Sequence, residues 1–247
     1  MAIEVFNRYE NKYLMDTAAY RRLYQDLLHH MEPDEYNKRH EFYTITNIYY
    51  DTECNTLIRN SLSKPKYKEK LRLRSYGTPN ADSKVYLEIK KKVVGLVNKR
   101  RTALTLQEAY DFVRTGVEPE YKEYMNRQVL HEISYFLQQY ELVPKVYLSY
   151  DRKAMFSRES RDLRITFDTN IRCRRHDVEL EKGCYGEQLL EPGQWLMEVK
   201  AENTIPLWLS RLLSEHGLYR TGFSKYGNEY KRMIRTQQNE MERVLYA

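Results

Sequence analysis

The sequence predicts an α+β fold: a closed antiparallel eight-stranded β-barrel with helices packed on its outside. Three observations lead to this prediction. About eight segments alternate apolar and polar side chains, the period that places neighbouring residues on opposite faces of a strand. Helices with apolar stripes interrupt the strands in three places and need a surface to cover. Turn-forming residues join neighbouring strands, which favours antiparallel succession and a closed sheet.

In the first half of the chain, each element has its own signal. The strand at 4–14 alternates charged and apolar residues, and the helix at 17–30 has apolar residues at helical spacing. The segment 42–50 is aromatic and β-branched, which favours a strand. Strands at 66–76 and 84–93 are joined by Gly-Thr-Pro-Asn-Ala-Asp-Ser. A strand at 97–104 leads into a Thr105-x-x-Glu108 capping box, which begins a helix that ends near Gly116.

The elements of the second half of the chain are predicted from the same kinds of signal. A helix is predicted at 120–140, and its expected core positions are Tyr124, Val129, Ile133, Phe136 and Leu137. Strands are predicted at 144–154, 162–172 and 195–201, with a polar connection at 174–193 that contains a short helical piece. Pro206 suits the first turn of a helix that runs through His216, and a last helix covers 224–240. No low-complexity linker divides the chain, so residues 1–247 are predicted to form a single domain.

Composition narrows the class of protein. The chain has 247 residues, 41% of them hydrophobic, and its net charge of +6 favours an anionic partner. Cys54, Cys173 and Cys184 have neither an even count nor CxxC spacing, which argues against a disulfide framework or a cysteine-rich zinc site and favours the cytoplasm. The N-terminal segment does not resemble a signal peptide, and no apolar run approaches the roughly 18 residues that a membrane-spanning helix needs.

Charged residues recur on one face of five predicted strands. The stretches are Arg8-Glu10-Lys12, Lys70-Arg72-Arg74, Glu88-Lys90-Lys92, Arg164-Asp168 and Glu198-Lys200. Such faces usually point to water. Three features favour an inward orientation instead. Like charges on one strand repel unless an anion is bound, the helices need the apolar strand faces, and the repeated Glu-x-Lys pattern would place a metal ligand beside a phosphate ligand. A cationic interior is therefore the favoured interpretation.

In their order, several segments resemble the polyphosphate polymerase (VTC) domain, a branch of the triphosphate tunnel metalloenzymes, in its stand-alone bacterial form. The segments are Arg8-Tyr9-Glu10-Asn11-Lys12-Tyr13, Asn47-Ile48-Tyr49-Tyr50-Asp51-Thr52, Lys70-Leu71-Arg72-Leu73-Arg74, Tyr86-Leu87-Glu88-Ile89-Lys90, Ser149-Tyr150-Asp151-Arg152-Lys153-Ala154, Leu163-Arg164-Ile165-Thr166-Phe167-Asp168, Met197-Glu198-Val199-Lys200 and Ser224-Lys225-Tyr226. The wider superfamily begins with Glu-x-Glu-x-Lys. Here Arg8 stands at the first Glu position, which is similar to the polymerase branch.

The resemblance implies three groups of site residues. Those expected to act on the reacting phosphates are Arg72, Arg74, Lys90, Arg152, Arg164 and Lys200. Those expected to bind substrate are Arg8, Lys12, Lys70, Tyr150, Ser224 and Lys225. Glu198, Glu88 and Glu10 are the expected ligands of Mn²⁺ or Mg²⁺, and Asp168 is expected to orient an arginine or a lysine. Arginine and lysine suit phosphate, and carboxylates suit these metals.

The activity implied is transfer of the γ-phosphoryl group of ATP to inorganic phosphate or polyphosphate. This attack needs no general base, and none of the six histidines lies in a motif segment. A tripolyphosphatase or nucleoside triphosphatase would use the same tunnel with water as acceptor. A polyphosphate-binding scaffold without activity is another alternative. The 23 tyrosines could also bind single-stranded nucleic acid, but many have helix-core spacing, so no nucleic acid is expected. A membrane-protein partner and the oligomeric state are left open.

Overall fold

Ten strands and six α-helices form the parts of the chain that the computed structural model describes, residues 9–94, 96–159, 162–202 and 204–245. The strands are β1 Tyr9–Asp16, β2 Met31–Pro33, β3 Tyr43–Asp51, β4 Tyr67–Tyr76, β5 Lys84–Val93, β6 Leu96–Thr105, β7 Val143–Ser157, β8 Arg164–Arg174, β9 Glu187–Gln188 and β10 Gln194–Ala201. The helices are α1 Thr17–Leu27, α2 Thr56–Leu62, α3 Leu106–Thr115, α4 Arg127–Gln139, α5 Leu207–Glu215 and α6 Lys225–Leu245. In these ranges no helix is long and apolar enough to cross a membrane.

The strands form one antiparallel sheet, ordered β1-β10-β8-β7-β3-β4-β5-β6, with the short β2 and β9 beside β7 and β8. The predicted α+β class is confirmed, but the predicted closure is not found, because no backbone ladder joins β1 to β6 in the described residues. Side chains nevertheless connect distant strands. Glu10 on β1 lies 4.0 Å from Lys90 on β5. Since five strands separate β1 from β5 along the path, the sheet must curve back on itself.

Helices cover the convex side of this curved sheet. On one half, the apolar face of β4 and β5 packs against α3 and α4; on the other, the apolar face of β8 and β10 packs against α1 and α5. The first cluster includes Leu71, Leu73, Leu87, Ile89, Phe112 and Ile133, and the second includes Ile165, Phe167, Met197, Leu23, Leu27 and Leu209. Because side chains alternate along a strand, the charged residues between them point to the concave side.

The burial of the charged residues contradicts the alternative in which they face water. Arg74 and Arg152 are each 6% exposed, and Glu88 is 1% exposed. Charges of this kind are rarely buried unless they are paired. The inward orientation favoured from the sequence is therefore the one observed.

Helix boundaries follow their capping residues. The capping box of Thr105 and Glu108 begins α3, and Gly116 ends it with a φ of 72°. In contrast, α4 begins at Arg127 rather than at 120, because the Asn126 side chain accepts a hydrogen bond from the Val129 amide. Tyr124 precedes this helix and is 41% exposed, so its predicted core position was wrong.

Asp51 anchors α2, a helix that the sequence did not predict. The residue before this helix, Asn55, has a φ of 57° and makes no side-chain capping bond. Instead, the buried Asp51 carboxylate accepts hydrogen bonds from the Leu57 and Ile58 amides, at 2.8 and 2.9 Å. It also accepts one from the Tyr226 hydroxyl of α6 at 2.9 Å. A single carboxylate at the end of β3 therefore fixes two helices.

We expect Asp51→Ala to lower the free energy of unfolding by roughly 3 kcal/mol, because it leaves several buried donors without an acceptor. Asp51→Asn, which keeps one acceptor oxygen, should cost less. Urea unfolding measures both. Glu53→Ala is the control, since the Glu53 side chain is 82% exposed and should change little. Equal effects of Asp51→Ala and Glu53→Ala would contradict this role.

Candidate functional site

The concave face collects charged side chains from seven strands and from the start of α6. The middle strands supply mainly arginines, and the strands near both edges of the sheet supply lysines and carboxylates. The residues are Glu10, Lys12, Lys70, Arg72, Arg74, Glu88, Lys90, Lys99, Arg152, Arg164, Asp168, Glu198, Lys200 and Lys225. We call this set the charged interior.

Asp168 lies at the centre of the charged interior. It is fully buried, and Arg152 donates to both of its oxygens, at 2.6 and 2.8 Å. The Lys225 ammonium donates to the same carboxylate at 2.5 Å. Burial raises the pKa of Asp168, but the charges of Arg152 and Lys225 outweigh it and keep the pKa below its usual range. Asp168 thus fixes an arginine from β7 and a lysine from α6, the orienting role expected of it.

Lys12 connects two further carboxylates. Its ammonium lies 3.2 Å from both Glu10 and Glu198, and Lys200 lies 3.2 Å from the other oxygen of Glu198. Burial opposes ionisation of both acids. The surrounding lysines prevail, so the pKa of Glu198 is well below its usual range and that of Glu10 is about 2. Both carboxylates therefore carry a negative charge at neutral pH.

Glu88 lies in a different part of the charged interior, on β5. The Arg72 guanidinium donates to one of its oxygens at 2.5 Å, and the Lys99 ammonium lies 2.8 Å from the other. The Arg74 guanidinium is also within 3.9 Å. Across the described ranges, no three His, Cys, Asp or Glu side chains form a group that could hold a metal ion. The three predicted metal ligands therefore do not converge, and only Glu10 and Glu198 share a neighbour.

Tyrosine and asparagine side chains fix the two arginines of β4. Arg74 donates to the Asn47 side-chain oxygen at 3.0 Å and to the Tyr150 hydroxyl at 3.1 Å. Arg72 donates to the Tyr49 hydroxyl at 3.1 Å. Tyr150 is 3% exposed, and although burial raises its pKa, the charges of nearby arginines and Lys225 lower it overall. Both guanidinium groups are thus oriented in advance, which favours binding of an anion.

Lysines dominate the part of the interior near the start of β4. Burial, together with the neighbouring Lys90, Lys68 and Lys12, lowers the pKa of Lys70 to about 8. Burial likewise lowers the pKa of Lys99 to about 7, although Glu88 opposes this. In both lysines burial disfavours the charged form, which is the condition that a bound polyanion relieves.

The sequence interpretation did not select Lys99. The alternation of side chains along β6 could have identified it, because Lys99 lies opposite Lys90 and therefore shares the inward face. The interpretation missed it because the 97–104 segment lies outside the motif segments.

Two predicted site residues, Ser224 and Arg164, lie at the border of the charged interior. Arg8 is outside the described residues, so its role stays a prediction. Ser224 is exposed, and its hydroxyl accepts a hydrogen bond from the Gly227 amide near the start of α6. Arg164 is near the edge of the interior, where it donates to the Tyr43 hydroxyl at 3.5 Å and lies over the Phe156 ring.

Comparisons with known proteins identify the family and the fold. A family model described as the VTC domain matches residues 7–234. A Bacillus halodurans protein provisionally named an adenylate cyclase has a TM-score of 0.53 at 15% identity, over 90% of this chain and 94% of its own. A Hippeastrum protein provisionally named an adenylyl cyclase, and described as having a dominant triphosphatase activity, has a TM-score of 0.50 at 20% identity, over 88% and 92%. At these identities the two structures show a shared fold. No curated protein matches the sequence.

Removing the Asp168 carboxylate should destabilise the fold and make its melting temperature depend more strongly on bound anions. We expect Asp168→Ala to cost about 3–5 kcal/mol of unfolding free energy, because Arg152 and Lys225 lose a buried partner. Inorganic tripolyphosphate should then raise the melting temperature more in the variant than in the wild type, since it replaces the missing charge. Thermal denaturation with and without tripolyphosphate measures both effects.

Asp111→Ala is the matched control, because Asp111 pairs with Arg114 on the exposed side of α3. We expect no measurable change in the free energy of unfolding and an ordinary response to tripolyphosphate. If Asp168→Ala responded to the anion no more than Asp111→Ala, the charged interior would not be where the anion binds.

Proposed function

The chain belongs to the VTC domain family, and from this membership we propose that it is a polyphosphate polymerase. It transfers the γ-phosphoryl group of ATP to a growing inorganic polyphosphate chain and releases ADP. The observation that carries the proposal is the convergence of arginines and lysines from β1, β4, β7, β8, β10 and α6 on one concave face. In this proposal the curved sheet encloses a tunnel through which the product chain grows.

The excess of positive charge supports a polyanionic substrate. Among the described residues, the lysine-rich part has three lysines, Lys70, Lys90 and Lys99, beside two carboxylates, Glu88 and Glu10, and burial lowers the pKa of both Lys70 and Lys99. Holding cations together without a counterion is unfavourable. A chain of phosphates supplies one negative charge or more per unit along the whole face, which a single small anion cannot do.

The arrangement of arginines supports phosphoryl transfer. Arg72 and Arg74 are held by hydrogen bonds, and Arg152 is fixed by Asp168, so all three guanidinium groups are positioned before substrate binds. Preorganised cations stabilise the charge that develops on a transferring phosphoryl group without reorganising during the reaction. The attacking oxygen of a phosphate chain is already ionised, so the residues of this interior need not remove a proton from it.

A divalent metal ion, Mn²⁺ or Mg²⁺, fits the pair of Glu10 and Glu198. Mg²⁺ is commonly bound by one or two carboxylates together with substrate phosphates, rather than by an all-protein cage. Both acids are ionised here, whereas Arg72 and Lys99 already engage the two oxygens of Glu88. When bound, the ion would neutralise charge on the phosphates, and Lys12 and Lys200 would share that task.

A triphosphatase is the second candidate, because the same interior with water as acceptor would hydrolyse the donor. The Hippeastrum protein that shares this fold is described as having a dominant triphosphatase activity. Incubation with ATP and Mn²⁺, followed by gel electrophoresis, separates the two. Chains of polyphosphate support the polymerase, whereas orthophosphate without chains overturns it in favour of the hydrolase. We propose a cytoplasmic location, where ATP is available and the three free cysteines stay reduced.

We expect Arg72→Ala and Arg74→Ala each to reduce the rate of polymer formation by roughly 100-fold or more, because each removes a preorganised positive charge from the phosphates of the donor. Polyphosphate formed over time is the measurement. Arg114→Ala, at an arginine on α3 whose side chain is 71% exposed, should leave the rate unchanged. Wild-type rates in either interior variant would count against the proposed site.

Polyanion binding should depend on pH through the lysines. In the free protein the pKa is about 8 for Lys70 and about 7 for Lys99, and a bound polyanion raises both. Affinity should therefore fall as pH rises from 7 to 9, and binding near pH 8 should take up protons. Calorimetry of tripolyphosphate binding in two buffers of different ionisation enthalpy measures this uptake.

Tripolyphosphate also exchanges protons, so the Lys70→Met variant is used to identify the proton uptake that comes from the protein. We expect this variant to take up fewer protons than the wild type near pH 8. Identical uptake in the two proteins would show that Lys70 stays charged without ligand.

A further inference from the structure

One mouth of the charged interior is aromatic rather than cationic. Along β4, alternation places Lys68, Lys70, Arg72, Arg74 and Tyr76 on the same face, in that order. The row of lysines and arginines on this face therefore ends at Arg74, and the next inward position holds the ring of Tyr76. The two ends of the interior thus differ: one is aromatic and the other is rich in lysine.

Tyr76 belongs to a connected group of four tyrosines from three strands and a loop. The Tyr76 ring lies 6.2 Å from Tyr43 on β3 and 5.9 Å from Tyr86 on β5. Tyr43 in turn contacts Tyr36, with ring centroids 5.2 Å apart. We call Tyr36, Tyr43, Tyr76 and Tyr86 the tyrosine mouth.

The tyrosine mouth is only half covered. Tyr36 is 50% exposed and Tyr76 is 52% exposed, although both rings contact other rings of the group. Arginines border it: the Arg101 guanidinium lies 4.7 Å from the centre of the Tyr86 ring, and Arg164 donates to the Tyr43 hydroxyl. Exposed aromatic faces beside guanidinium groups are the surface on which nucleobases stack.

We propose that the tyrosine mouth binds the nucleobase of the nucleoside triphosphate donor. The inference rests on the proposed function and adds the position and direction of the donor. Tyr76 lies two residues beyond Arg74, or about 7 Å along an extended strand, which leaves room for a ribose between base and phosphates. With the base on the tyrosines, the triphosphate passes Arg74 and Arg72 and points toward Lys70. The growing chain then lies on the lysine side.

The test compares binding of ATP with binding of inorganic tripolyphosphate, which carries the phosphates without a base. We expect Tyr76→Ala and Tyr86→Ala each to weaken ATP binding roughly 10-fold, the loss of one stacking contact, and to leave tripolyphosphate binding unchanged. Tyr76→Phe keeps the ring and should bind ATP like the wild type. Calorimetry gives both affinities.

Tyr135→Ala is the matched control, because Tyr135 is 63% exposed on α4, a helix of the convex side. It should change neither affinity. The proposal is overturned if the mouth variants bind ATP as tightly as the wild type, or if ATP and tripolyphosphate weaken together. Because the readout is binding, a wild-type protein that binds ATP but forms no polymer would reject the proposed function and leave this inference standing.

Discussion

Mutual repulsion among buried cations is the constraint on which the rest of this structure depends. A face that collects Arg72, Arg74, Arg152, Lys200 and Lys225 folds only if carboxylates are buried with them. Removing ions from water costs several kcal/mol each, which ion pairs offset only when their geometry is good. Asp168, Glu198 and Glu88 meet that condition, since each is bound by two or more cations. The three acids divide the cations into groups that tolerate the absence of a ligand.

The position of the helices follows from the same constraint. Because one face of each strand is charged and turned inward, the apolar face must be covered from outside, and α1, α3, α4 and α5 cover it. The sixth helix is different. It begins inside the charged interior with Lys225, and Asp51 fixes it there through the Tyr226 hydroxyl. The fold and the site are thus joined at one turn of α6.

Alternation and capping were sufficient to predict most of the strands, the inward charges and α3, because these signals are local. The features that the sequence did not predict depend on contacts between distant residues. Asp51 replaces the missing cap of α2 through bonds that skip several positions, so Asn55 alone gave no helix signal. Whether β1 pairs with β6 depends on the curvature of the whole sheet, which no segment encodes alone. The contacts of Glu88 with Arg72 and Lys99 depend on the register of β4, β5 and β6 together. The sequence pattern therefore could not show that these two cations already engage the carboxylate predicted to bind a metal.

The lysine between Glu10 and Glu198 suggests how substrate and metal depend on each other. Without ligand, Lys12 neutralises both carboxylates, each 3.2 Å away. In the proposed function, a phosphate chain would compete for that ammonium group, because it offers a concentrated negative charge. If Lys12 turned toward phosphate, the two carboxylates would lose part of their compensation and would be available to hold a divalent cation. The phosphates would attract the same cation, so each ligand would favour the other. We therefore expect substrate and metal to bind cooperatively, and the cooperativity to require the lysine as much as the acids.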